Sequence, residues 1–185
     1  MMPGRLRSFI GWSISICLVL LLGSCSSVEG GLNSFQSPDG RYGFLYPTGW
    51  TRVAVSDGPQ VVFHDLINSD ETLSLVVSEV SDEIKLESLG TPEVVGQTLL
   101  ERVIAPSGAG REFQLINASQ REDSDHIFYD LEYLVRLSDR DRHELSTVVL
   151  DRGYLYTFAT STNEERWPKV KRLFERVVSS FTFLV

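Results

Sequence analysis

Three histidines occur in the 185-residue chain, and each stands near an acid: His64-Asp65, Asp125-His126, and His143 after Asp139 and Asp141. Imidazole with carboxylate is donor chemistry that suits zinc or manganese. A defined centre needs three or four protein ligands, and no single cluster supplies them on one face. Side chains alternate along an extended segment, so Asp141 and His143 share a face while directly adjacent pairs point apart. His64, Asp65, Asp125, His126, Asp141 and His143 are therefore candidate weak surface ligands for zinc or manganese. Solvated charge is the competing reading.

Other chemistry is scarce. No Gly-rich phosphate loop opens a helix, and His-Glu-x-x-His and Gly-x-Ser-x-Gly are both missing. Three histidines leave little for an acid-base or nucleophile scheme, and the reading is of a protein that is not an enzyme and requires no cofactor. There are 25 acidic and 17 basic residues, a formal net charge of -8, which disfavours nucleic acid as a partner because phosphate neutralisation needs clustered Lys and Arg. One basic concentration stands out: Arg166, Lys169, Lys171, Arg172 and Arg176. It reads either as the solvated side of an amphipathic helix or as a docking face for an acidic protein partner.

The first 25 residues differ from the rest. Arg5 and Arg7 precede a largely apolar run, Phe9 to Leu22, too short for a comfortable membrane span, and Leu22-Gly23-Ser24-Cys25 closes it. The pattern is a secretory signal, and its end resembles a bacterial lipobox, with Cys25 lipidated after cleavage. An uncleaved N-terminal anchor is the alternative, and it leaves the domain on the same side of the membrane. Cleavage removes residues 1–24, with two arginines and no acid, leaving 161 residues with a net charge of -10. Cys17 departs with the signal and Cys25 carries lipid, so thiol chemistry is excluded. Residues 25–32 form a short tether and 33–185 one domain.

Turn chemistry at Ser37-Pro38-Asp39-Gly40 separates Asn33–Gln36 from Tyr42–Tyr46, predicting an N-terminal β-hairpin that ends at Pro47-Thr48-Gly49-Trp50. Strands are predicted at Val61–Leu66, Leu73–Val80, Phe113–Ala118, Ile127–Leu137, Leu145–Leu150 and Tyr154–Thr160, with Asp151-Arg152-Gly153 as a tight turn. A helix is predicted from Thr91-Pro92-Glu93, with Val95, Leu99 and Val103 on its apolar face and Pro106 and Gly108 as stops. A second follows Asn163 as cap, begins irregularly at Pro168, and aligns Trp167, Val170, Phe174, Val177, Val178 and Phe181. Trp50, Trp167, Phe44, Tyr46, Phe158 and Phe174 read as core. The expected class is α+β, a central antiparallel sheet flanked by helices, as an α/β/α sandwich.

Several blocks together resemble one family. Phe35-Gln36-Ser37-Pro38-Asp39-Gly40-Arg41-Tyr42-Gly43-Phe44-Leu45-Tyr46-Pro47-Thr48-Gly49-Trp50 is similar to the opening of PsbP proteins, extrinsic lumenal subunits of photosystem II. Phe63-His64-Asp65 with Glu71-Thr72-Leu73-Ser74-Leu75 and then Leu89-Gly90-Thr91-Pro92-Glu93 follow in family order. Phe128-Tyr129-Asp130-Leu131-Glu132-Tyr133 and Leu155-Tyr156-Thr157-Phe158-Ala159, through Glu165-Arg166-Trp167, complete the series. The lipobox points to the lipidated cyanobacterial form. The resemblance implies a PsbP-like sandwich and a non-enzymatic monomer held at the lumenal side of the thylakoid membrane by lipid. Its partners would be photosystem II core or assembly intermediates, and it would aid assembly or stability of the oxygen-evolving complex. Plant members retain calcium and chloride through an N-terminal extension; this chain has only Ser26 to Leu32 there, so calcium retention by that route is not expected. A lipoprotein that buffers or delivers zinc or manganese is the alternative.

Overall fold

The computed structural model describes residues 31–56, 58–104 and 112–184. The signal segment 1–24, Cys25, nearly all of the tether, Pro106 and Gly108 lie outside them. Among the described residues, ten strands form two sheets. β1 (Leu32–Gln36), β2 (Tyr42–Pro47) and the short β10 (Thr182–Phe183) make the smaller, in the order β1-β2-β10. The larger has the order β3-β4-β5-β9-β8-β7-β6, from β3 (Trp50–Val53), β4 (Val61–Asp65), β5 (Thr72–Glu79), β6 (Glu112–Asp123), β7 (His126–Arg136), β8 (Asp141–Asp151) and β9 (Tyr154–Asn163). Every pairing is antiparallel. The described residues also form two α-helices, α1 (Pro92–Leu99) and α2 (Trp167–Val178).

Strand alternation splits the apolar residues between two cores. Phe128, Val149, Tyr156, Phe158, Leu73, Leu75, Val61 and Phe63 project from one face of the large sheet against the small sheet and α2. Tyr129, Leu131, Tyr133, Val135 and Val148 project from the other face and meet Val95 and Leu100 around α1. The first core is aromatic: Phe44 lies 4.6 Å from Phe158 and 4.7 Å from Phe35, centroid to centroid, and Trp50 meets the edge of Phe174 at 5.9 Å. Offset and edge contacts of this kind each add about 0.5–1.5 kcal/mol beyond area burial. The sandwich expected from the sequence is present, with a second sheet sharing the α2 layer.

Local chemistry explains the element ends. Ser37 is buried, and its Oγ accepts from the Tyr42 amide at 3.1 Å, closing the first hairpin. Arg152 and Gly153 have φ of 46° and 76°, the pair of positive values that a two-residue turn of matching twist requires between β8 and β9. Thr91 caps α1, Pro92 occupies its first turn, and the Thr91 side chain, as the largest cause, holds the Glu93 carboxyl below its usual range.

Several expectations need correction. Trp50 begins β3 rather than ending the preceding strand, and β10 adds a strand where Phe181 was expected to continue a helical face. Phe181 is fully buried in the same core, but from the turn beyond α2. β6 and β8 run longer than Phe113–Ala118 and Leu145–Leu150, because ladder hydrogen bonds extend strands through polar residues that hydropathy alone assigns to loops. A bulge between Leu115 and Asn117 re-registers β6 and leaves Ile116 exposed. α1 passes into a π-helical turn, Leu100–Ile104, which turns Leu100 into the core; the Val103 side chain lies outside the described residues. Asn163 makes no side-chain cap. It precedes a 3-10 turn, Glu164–Arg166, and α2 begins at Trp167 with Pro168 in its first turn.

Candidate functional site

Charged and polar side chains converge where β7, β8 and β9 meet the start of α2. His143 projects from β8 toward α2 and is 3% exposed. Its ring stacks on Trp167 at 3.9 Å with 13° between planes. Nε2 lies 2.8 Å from Glu132 of β7, and Nδ1 lies 2.6 Å from Glu164 of the 3-10 turn. A neutral imidazole has one donor and one acceptor nitrogen. Both carboxylates are therefore satisfied only when both nitrogens carry hydrogen or one carboxyl is itself protonated. With both nitrogens occupied, His143 is a lock between sheet and helix, not a free base, nucleophile or ligand.

Two further locks stand beside it. Glu71, 3% exposed, pairs through Oε1 with Nε of Arg166, tying the β4–β5 connection to the start of α2. Asp70 accepts from Arg140 Nη1 at 3.1 Å and from Asn163 Nδ2 at 3.0 Å, and its carbonyl accepts from Arg142 Nη2 at 2.8 Å. On the opposite face of the sheet, Glu144 lies between Tyr133 and Ser161 across the strands. Burial, only partly offset by Arg142, pushes its carboxyl up to about 7. Part of that side chain still meets solvent. Burial also lowers Arg142, against the opposing pull of Asp70.

The six histidine and aspartate candidates are dispersed. His64 shares a row with Thr72, Ser161 and Glu144, on the sheet face opposite His143. Asp65 organises a turn: its Oδ1 accepts from the amides of Ile67 at 2.6 Å and Asn68 at 3.1 Å. Burial alone would raise its carboxyl, but those amides and the Asn68 and Trp50 side chains hold it below the usual range. Asp125 sits in the β6–β7 turn, while His126 bonds Asp151 at 3.1 Å and packs on Phe183 at 4.5 Å, at the far end of the sheet. Asp141 shares the His143 face, as strand alternation predicts, but approaches Arg136 at 3.8 Å. Among the described residues no group of three or more His, Cys, Asp or Glu side chains is placed to hold a metal ion. Among the described residues the donors do not come together as a set for zinc or manganese.

Arg166 is half-buried and pairs with Glu71; Lys169, Lys171, Arg172 and Arg176 are exposed on the outer side of α2. Lys171 reaches over Trp167 at 5.6 Å and toward Glu175 at 3.9 Å. The sequence reading missed Glu71, Asp70, Glu132, Glu144 and Glu164. The available signal for Glu132 was its inward position in the alternating run Phe128–Val135.

Fold and site together define a class: an antiparallel α+β sandwich whose buried charges are largely paired with one another, bearing one exposed basic helix face. The chain belongs to the PsbP family, whose sequence model matches residues 30–183. It is 45% identical over 182 residues to CyanoP of Thermosynechococcus vestitus, covering 96% of this chain and 98% of that one. It is 42% identical over 176 residues to CyanoP of Synechocystis, covering 91% and 92%. The solution structure of cyanobacterial PsbP from Synechocystis superposes with a TM-score of 0.72, covering 88% of this chain and 99% of that chain.

Proposed function

We propose that this protein is a non-enzymatic, lipid-anchored accessory factor of photosystem II on the lumenal side of the thylakoid membrane, aiding assembly or stability of the oxygen-evolving complex. The observation that carries this reading is the PsbP match across residues 30–183, nearly the whole domain. The docking element is the outer face of α2, where Lys169, Lys171, Arg172 and Arg176 stand exposed on an otherwise acidic chain. Such a face favours an acidic protein surface and speeds encounter more than it tightens binding. Trp167, stacked on His143, fixes the first turn of that helix, so the charges are presented on a rigid support.

Crosslinking mass spectrometry of the lipidated protein in thylakoids tests the proposal. Crosslinks from Lys169 and Lys171 to photosystem II core subunits or assembly intermediates are expected. A protein recovered only as a free monomer under every biogenesis condition refutes it.

A further inference from the structure

The connection between β4 and β5 carries the most exposed aliphatic pair among the described residues. Leu66 is 67% exposed and Ile67 91%. Large apolar side chains are tolerated singly on surfaces, but two in succession at the tip of a turn are a different case. The turn is built to hold them outward. Asp65 Oδ1 accepts from the amides of Ile67 and Asn68, and the Glu71 amide donates to the Asn68 carbonyl at 2.8 Å. The acids that follow are neutralised within the fold, Asp70 by Arg140 and Arg142 and Glu71 by Arg166. An acidic chain thus brings little unpaired negative charge to this tip beyond Asp65, whose Oδ1 is taken up by the turn amides.

The tip also lies at the end where the chain enters the fold. Leu32 pairs with Pro47; Thr48 and Gly49 carry the chain from the small sheet to the large one; Trp50 pairs with Asp65, and Ile67 stands two residues beyond. That path of two strand spacings and five residues is at most roughly 28 Å. The seven steps from Cys25 to Leu32 span at most about 25 Å more. The geometry points to a second membrane contact: Leu66 and Ile67 insert into the lipid surface to which Cys25 is anchored, fixing which face of the domain looks away from the bilayer. This rests on the lipid-anchor reading. Insertion by two aliphatic side chains is weak on its own, but a short tether holds the tip at high effective concentration at the surface. One lipid signal plus a shallow apolar contact is how interfacial proteins gain orientation as well as attachment.

The test uses the full lipidated chain on vesicles of phosphatidylcholine and phosphatidylglycerol. With Cys17 removed and Cys25 modified, Ile67→Cys introduces the single free thiol for an environment-sensitive fluorophore, and Glu122→Cys, exposed on β6, serves as control. The Ile67 label should shift to the blue and be quenched on the order of threefold by spin-labelled lipids. Shallow labels should be more effective than deep ones, since interfacial insertion reaches about 5–10 Å. The Glu122 label should not respond. Co-sedimentation with an unshifted, unquenched tip label overturns the inference and leaves the anchor standing. A tip label that responds only when membranes containing photosystem proteins are supplied assigns the pair to a protein contact and likewise overturns it. Failure to co-sediment removes the anchor and the inference together.

Discussion

Replacing His143 separates its two attachments. His143→Phe keeps a ring to stack on Trp167 but removes both ring nitrogens that meet Glu132 and Glu164. Glu132, with a side chain only 15% exposed, then loses a charge-assisted hydrogen bond worth about 1.5–3 kcal/mol. Glu164 is 43% exposed and turns to water, so its share is discounted to about 0.5 kcal/mol. The sum is about 2–3.5 kcal/mol. His143→Ala adds the lost stacking contact, about 0.5–1.5 kcal/mol, bringing the loss to about 4 kcal/mol. At roughly 3 °C per kcal/mol for a domain of this size, Tm should fall by about 8 °C and about 12 °C respectively. Urea and thermal unfolding of the mature protein, followed by tryptophan fluorescence, measure both, and Trp167 reports directly on the site. Adding Glu132→Gln to His143→Phe should recover at least about half of the loss, because an amide tolerates an unpaired site better than a carboxylate does. A His143→Phe variant within about 0.5 kcal/mol of the parent, or a second substitution that merely adds a further loss, would refute the lock.

Glu144 gives a pH signature. Its folded carboxyl titrates near 7, above its unfolded value, so its contribution is fully present below about pH 4.5 and lost as pH rises through 7. Parent-minus-Glu144→Gln stability from unfolding titrations should therefore decline by about 1–2 kcal/mol between pH 5 and 8, discounted for partial exposure. Arg166→Met leaves Glu71 buried without its partner and should cost about 2–4 kcal/mol by urea unfolding, while Glu71→Gln with Arg166→Met should cost less than the sum of the two single changes. Gly153→Ala drives a Cβ into Asp82 Oδ1 on a backbone at φ 76°, and differential scanning calorimetry should show a loss of about 1–2 kcal/mol that Asp82→Ala partly relieves. Charge reversal at Lys169, Lys171 and Arg172 should reduce recovery with photosystem II several-fold in pull-downs while moving Tm by no more than about 2 °C, because these side chains are exposed.

Much of the fold is legible in order because its signals are local. The Ser37-Pro38-Asp39-Gly40 turn, the Thr91-Pro92-Glu93 start and the Trp167-to-Val178 apolar face each depend on residues a few positions apart. β3, with one buried residue followed by three exposed ones, carries no such alternation and exists because β4 offers it a partner. The charged site is harder to read. His143 was visible as a residue able to do chemistry, but Glu132 and Glu164 lie 11 and 21 positions away and are brought to its two nitrogens by strand register and the 3-10 turn. The acids nearest the histidines in sequence turn elsewhere, Asp65 to a turn and Asp141 toward Arg136.

The sequence by itself determined the class of sandwich, the family blocks and the basic face of the last helix, since periodicity and turn chemistry act over short spans. Only the tertiary structure decided which charges are paired. It also decided that Arg166 is engaged while Lys169 and Arg172 remain exposed, and that Leu66 and Ile67 project at the end where the chain enters the fold. Those outcomes depend on register between strands remote in sequence. Each sheet pairing moves a side chain from one partner to another, and no local pattern records that choice.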